Sequence, residues 1–107
     1  LVLFSLDNNS SKLNIFKKSE TITINILSEK QQLISNNFAK KNPDWGNIEY
    51  ESLKNGNPII KNCVSNLDCK VIDKIKKGDH VIFISRVLQV INNNKLKPLI
   101  YYNSKYF

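Results

Sequence analysis

A single histidine occurs in the 107 residues, His80, set behind Gly78 and Asp79 at the head of an apolar run. Its imidazole can donate or accept a hydrogen bond through either ring nitrogen. One histidine cannot complete a metal site, and Cys63 and Cys69 form neither a CxxC pair nor part of a zinc quartet. The sequence carries no catalytic triad and no paired carboxylates. Two other groups suit an anion: Asn8-Asn9-Ser10-Ser11-Lys12 gathers amides, hydroxyls and a cation, and Ser28-Glu29-Lys30-Gln31 opens a second helical stretch with free N–H groups. Each also reads as plain helix capping. Tyr101, Tyr106 and Trp45 offer aromatic faces with polar tips, or close and anchor the end of a sheet.

Elements that must position these residues follow from the periodicities. Leu1 to Leu6 reads as a buried strand ending at the turn Asp7-Asn8-Asn9-Ser10. Ser10 or Ser11 then caps a short helix with Leu13 and Phe16 facing inward. Thr21 to Ile26 alternates strictly and puts Ile22, Ile24 and Ile26 on a buried face. Ser28-x-x-Gln31 matches a capping box, so a helix should begin there, pack through Ile34 and Phe38, and end at Asn42-Pro43.

Asp44 to Asn57 reads as irregular, anchored by Trp45, Ile48 and Tyr50, with a turn at Asn55-Gly56-Asn57-Pro58. The second half reads as a β-meander. Leu67, Cys69 and Val71 alternate with polar residues, Lys77-Gly78-Asp79 turns, His80 to Ile91 is a long strand, and Lys97 to Tyr102 is the last. Cys63 and Cys69, an even number of positions apart, fall on one strand face as reduced packing residues.

A chain of this length makes one domain with a modest core. The net charge of +7 comes from fifteen lysines and one arginine spread along the chain beside sixteen asparagines, a compositional bias rather than a basic patch. No segment approaches the roughly 20 apolar residues of a membrane span, and no basic region precedes Leu1-Val2-Leu3-Phe4 as in a signal peptide. The expected location is the cytoplasm.

Several of these motifs occur together in a known family. Ile24-Asn25-Ile26-Leu27, Ser28, Gln31 and Phe38-Ala39 keep the spacing of a strand, capping box and helix end, Gly56-Asn57-Pro58 precedes an apolar pair, and Leu67-Asp68-Cys69 follows. Gly78, Asp79, His80, Ile82 and Val87 fit G-D-H-x-I-x-x-G-x-V with Ser85 in place of the second glycine. Pro98, Leu99, Tyr101 and Tyr106 fit P-L-x-Y-x-x-G-x-Y with Ser104 in place of glycine. In these respects the chain resembles the flavin reductase-like family across most of its length. The family's earlier strands, Thr/Ser-rich loop and Pro-Pro pair have no counterpart in this sequence.

The resemblance implies a mainly β fold with two short helices, an FMN-binding split β-barrel without its N-terminal strands, formed by residues 1–107 as the C-terminal two-thirds of the domain. It implies NAD(P)H-dependent reduction of flavin, with FMN or FAD bound, NADH or NADPH as hydride donor, and a monooxygenase as acceptor of the reduced flavin. Flavin contacts are expected from Asn8, Asn9, Ser10, Ser11, Lys12, Ser28, Gln31, Phe38, Tyr101 and Tyr106. His80 is expected at the nicotinamide face, no metal is implied, and the family's habit implies a homodimer. An inactive truncated remnant, a non-enzymatic FMN-binding electron carrier, and a basic nucleic-acid-binding β-barrel are the competing readings, although dispersed charge and the lack of arginine among the aromatics count against nucleic acid.

Overall fold

A computed structural model describes residues 1–107. Alternating side chains build two long strands, β5 (Ser65–Lys77) and β6 (His80–Asn92), into a hairpin turned by Gly78-Asp79. Gly78 sits at φ +55°, a left-handed conformation that L side chains adopt only under strain, although the space around it is open. β1 (Val2–Asp7) runs antiparallel to β6, with Val2 opposite Ser85 and Asp7 opposite His80. β2 (Thr21–Ile26) pairs with β5 from Thr21 opposite Lys70 to Ile26 opposite Ser65, giving the order β1-β6-β5-β2. Register shifts at Asp68/Cys69 and Val71/Asp73 bend the long hairpin, and the sheet curls into half of a barrel.

The helices are short, α1 (Leu13–Lys18) and α2 (Gln32–Phe38). α1 covers one face of the sheet, where Leu13, Val81 and Phe83 are buried and Phe4, Leu6, Phe16 and Val71 pack around them. Phe4 stacks on Phe83 at 5.1 Å, and Phe16 meets both rings edge-on. Neither helix ends in a glycine, and each borrows a lysine: Lys74 Nζ donates to the carbonyl of Lys17, and Lys12 Nζ to those of Phe38 and Lys40. These bonds satisfy carbonyls that a helix terminus leaves free.

Two small hairpins complete the fold. β3 (Tyr50–Ser52) pairs with β4 (Pro58–Ile60), and β7 (Tyr101–Tyr102) with β8 (Lys105–Tyr106). The second turns through Asn103 and Ser104 at φ +51° and +60°. Ser104 therefore holds, with a side chain, the left-handed conformation that the family pattern gives to glycine.

Several expectations are corrected. β1 is an edge strand whose Leu3 is 68% exposed, because only its Val2, Phe4 and Leu6 side faces α1. On β2 Ile22 is buried, Ile24 half-buried and Ile26 exposed, so burial fades toward the carboxyl end of the strand. The helix starts at Gln32, not Ser28, since Ser28 to Gln31 forms a turn bridged to Pro98, and it ends at Phe38, before Asn42-Pro43. The irregular segment contains β3, and the last strand shrinks to the two residues of β7. Cys63 precedes β5, so it does not share a strand face with Cys69.

Candidate functional site

β2 presents Thr21, Thr23 and Asn25 at successive alternate positions on one edge. Their side chains hold β4 where no backbone ladder joins the two strands. Thr23 Oγ1 donates to the carbonyl of Pro58 at 2.6 Å, and Asn57 Nδ2 donates to Thr21 Oγ1 at 3.0 Å. Asn25 Oδ1 accepts from the Ile60 N–H at 3.1 Å and from Asn66 Nδ2 at 2.7 Å. Asn66 is buried opposite Asn25 in the ladder, and its amide also donates to the carbonyl of Ile60.

This lateral clasp forms one wall of a cleft of about 570 Å³. Ile15 and Phe16 of α1 and Ser35 and Phe38 of α2 form the opposite side, and Trp45 stands at its margin. The Phe38 and Trp45 rings meet edge-on at 4.9 Å, and Trp45 meets Tyr50 at 5.0 Å. A lining of aromatic and aliphatic surface with a few hydroxyls and amides, at a volume inside the ~300–1,000 Å³ of ligand clefts, suits a flat aromatic molecule.

The expected site residues fall into neighbouring groups along α2. Phe38 lines the cleft. Neither tyrosine lines the cleft: Tyr106 Oη lies 2.9 Å from Oγ of Ser35, a cleft residue, and Tyr101 rests on Tyr106 at 4.9 Å. Ser28 and Gln31 lie at the amino end of α2 and are engaged in the backbone: the Ser28 N–H donates to Gln31 Oε1 at 2.9 Å, and Gln31 Nε2 donates to the carbonyl of Lys61 at 2.7 Å. Lys12 reaches the carboxyl end of α2, while Ser10 Oγ accepts from the Lys12 N–H.

Asn8, Asn9, Ser10 and Ser11 continue from there to the β5–β6 turn, where the Asn8 N–H donates to the carbonyl of Asp79 at 2.8 Å. His80 stands at this end of the sheet, outside the cleft, with Nδ1 2.7 Å from Asp79 Oδ1. That contact holds the Asp79 carboxyl below the usual carboxylate range. Asp7, Asp79 and His80 bring their side-chain ligand atoms within 4.8 Å of one another. His80 and the Asn8 to Ser11 turn thus come together, whereas Ser28 and Gln31 lie away from them, at the other end of α2.

Thr23, Asn25 and Trp45 line the cleft and Asn66 supports it through Asn25, although of these only Trp45 was singled out from the sequence for a place at the pocket, Asn25 standing there only as part of the strand motif. A polar amide inside the otherwise Ile/Thr strand was the available hint for Asn25. Burial pushes the Cys63 and Cys69 thiols up, the latter aided by the Asp68 charge, so neither is set up as a nucleophile.

A curled antiparallel half-barrel flanked by two short helices, with an aromatic cleft beside α2, is the architecture of split-barrel flavoproteins. The Flavin reductase like domain matches residues 1–107, and the chain belongs to that family. It is 31% identical to the reductase subunit HsaB of a flavin-dependent monooxygenase from Mycobacterium tuberculosis, over 99% of this chain and 58% of that protein. It is 32% identical to the reductase component of a flavin-dependent trigonelline monooxygenase from Acinetobacter baylyi, over all of this chain and 34% of that one.

Among solved structures, an oxidoreductase from Sinorhizobium meliloti superposes with a TM-score of 0.92 at 32% identity, covering 98% of this chain and 37% of its own. Nitrilotriacetate monooxygenase component B from Mycobacterium thermoresistibile gives 0.89 at 30% identity, covering 98% and 60%. The chain spans little more than half the length of HsaB and about a third of the trigonelline reductase component. No helix is long and apolar enough to cross a membrane.

Proposed function

We propose that this chain belongs to an NAD(P)H-dependent flavin reductase that passes reduced flavin to a monooxygenase. The observation that carries the reading is the cleft beside α2, with Phe38 and Trp45 as its aromatic wall and Tyr106 joined to its Ser35. Phe38 offers the flavin ring an apolar face, with Tyr101 and Tyr106 beside it. The amides and hydroxyls of Asn8, Asn9, Ser10 and Ser11 suit the ribityl phosphate of FMN or the longer tail of FAD. Ser28 and Gln31 hold the amino end of α2 in place. His80, beside Asp79, is assigned to the nicotinamide of NADH or NADPH.

Acceptance of a hydride from the reduced nicotinamide is chemistry that a flavin supplies when bound. The residues of this chain need only align the two rings and keep water from them, which agrees with the absence of any acid–base pair in the cleft. A homodimer is part of the proposal: the outer edge of β1 carries no partner strand, and Leu3, Leu88 and Val90 leave apolar surface on the open sheet. The relatives named as monooxygenase reductase components support the assignment of the acceptor.

Titration with FMN, followed by flavin fluorescence, tests binding, and NADH added to the same cuvette tests reduction at the visible flavin band. Saturable binding with rapid bleaching is expected. Tight binding with slow bleaching would replace the reductase by an electron carrier, and a folded chain that binds no flavin would leave the remnant reading.

A further inference from the structure

We infer that Lys12 positions the aromatic wall of the cleft instead of holding the flavin phosphate, an inference that rests on the flavin reading above. Its Nζ lies 2.8 Å from the carbonyl oxygen of Phe38 and 3.3 Å from that of Lys40. These are carbonyls at the carboxyl end of α2, which closes on Ala39 in helical geometry, without a glycine and without a basic residue in its last turn. The helix therefore takes its terminal cation from 26 residues upstream.

Phe38 is at once the acceptor of this bond and the residue whose ring meets Trp45 at 4.9 Å. Fixing its carbonyl fixes the direction in which its side chain leaves the helix. The other end of the tie is also held, because the Lys12 N–H donates to Ser10 Oγ at 3.3 Å within the β1–α1 turn. A phosphate that drew the ammonium away would strip two carbonyls of their donor and loosen the wall on which the ring rests. Lys12 therefore couples the polar turn to the aromatic wall through α2, and phosphate contact falls to the neighbouring hydroxyls and amides.

Trp45 is the sole tryptophan of the chain, so intrinsic emission reports the Phe38–Trp45 wall without any ligand. The test compares the wild type with Lys12→Met, Lys12→Arg and, as a control on the exposed last turn of α1, Lys18→Met. Lys12→Met is expected to shift the Trp45 emission and its quenching by iodide, Lys12→Arg to restore both, and Lys18→Met to change neither. FMN and riboflavin, which lacks the phosphate, should weaken by the same factor in Lys12→Met, about fivefold for the loss of the shorter of the two hydrogen bonds and more if both count.

Unchanged Trp45 emission in folded Lys12→Met overturns the inference. So does a loss confined to FMN with riboflavin within about twofold of wild type, which would make Lys12 a phosphate ligand after all. If Lys12→Met does not fold, the same readings on Lys12→Gln, uncharged and one bond too short to place a donor where Nζ lies, decide. A wild type that binds neither flavin removes the flavin reading, and the ligand-free emission then decides the tie by itself.

Discussion

The hydroxyl of Tyr106 meets that of Ser35 at 2.9 Å, and this bond joins the closing hairpin to the middle of α2. The two residues are 71 positions apart, so the contact ties the chain's last strand to the helix whose inner side lines the cleft.

Tyr106→Phe keeps the ring that rests on Tyr101 but removes this bond. A part-buried hydroxyl pair of this kind is worth about 1 kcal/mol. The variant is expected to fold, to lose about that much stability in urea denaturation, and to bind FMN two- to fivefold more weakly. Equal affinity for FMN would separate the hairpin from the ligand site.

Ser85 is fully buried and its Oγ has no hydrogen-bond partner. It lies in the ladder between Val2 and Val71, at the place where the family pattern has glycine. Ser85→Ala removes an unpaired hydroxyl without opening backbone freedom. Stabilisation by about 1–2 kcal/mol is expected, and a rise of several degrees in thermal midpoint would register it. A lower midpoint would mean that the hydroxyl has a bound water or another acceptor.

Asn25→Ala deprives both the Ile60 N–H and the buried Asn66 amide of their common acceptor. The expected cost is about 2–3 kcal/mol, with FMN affinity falling as β4 loosens from the cleft wall. Asn25→Asp keeps an acceptor for both donors and should cost less. Retained affinity in a folded Asn25→Ala protein would show that the clasp does not shape the site.

Both thiols titrate above their ordinary range, Cys63 chiefly through burial and Cys69 through burial and then the Asp68 charge. A pKa raised by folding contributes stability that is complete below the unfolded thiol value, about 8.5, and is lost as pH rises through the folded one. Slow alkylation at pH 7 and declining stability above pH 9 are expected, with the decline reduced in a Cys63→Ala, Cys69→Ala double variant. Fast modification of the native protein at neutral pH would contradict the burial.

Local patterns carried much of the fold. Strict alternation marked β2, and Gly78-Asp79 between the lysine-ended β5 and the apolar β6 marked the β5–β6 hairpin, because both signals depend on neighbours in sequence. The start of α2 was misplaced because Ser28-x-x-Gln31 serves a tight turn as readily as a capping box: the Gln31 side chain reaches back to the Ser28 N–H in both. β3 was missed because Tyr50, Glu51 and Ser52 are all exposed and show no periodicity. At the site, Phe38 was legible from its motif. Asn25 stands in the same motif, but its work on Ile60 was not legible there, because it depends on how β2 meets a strand 35 residues away. The use of Lys12 on α2 was hidden for the same reason.

The borrowed lysines at the helix ends bear on how the basic composition is understood. Lys12 serves as a remote stopper for α2, whose own last turn carries no basic residue, across 26 residues, and Lys74 adds a second cation to the end of α1, which already carries Lys17 and Lys18, across 57. Two of the fifteen lysines are therefore engaged at helix ends within the chain, and their ammonium groups are directed at backbone carbonyls. Acetylation of Lys12 would act on the end of α2 as well as on the surface charge.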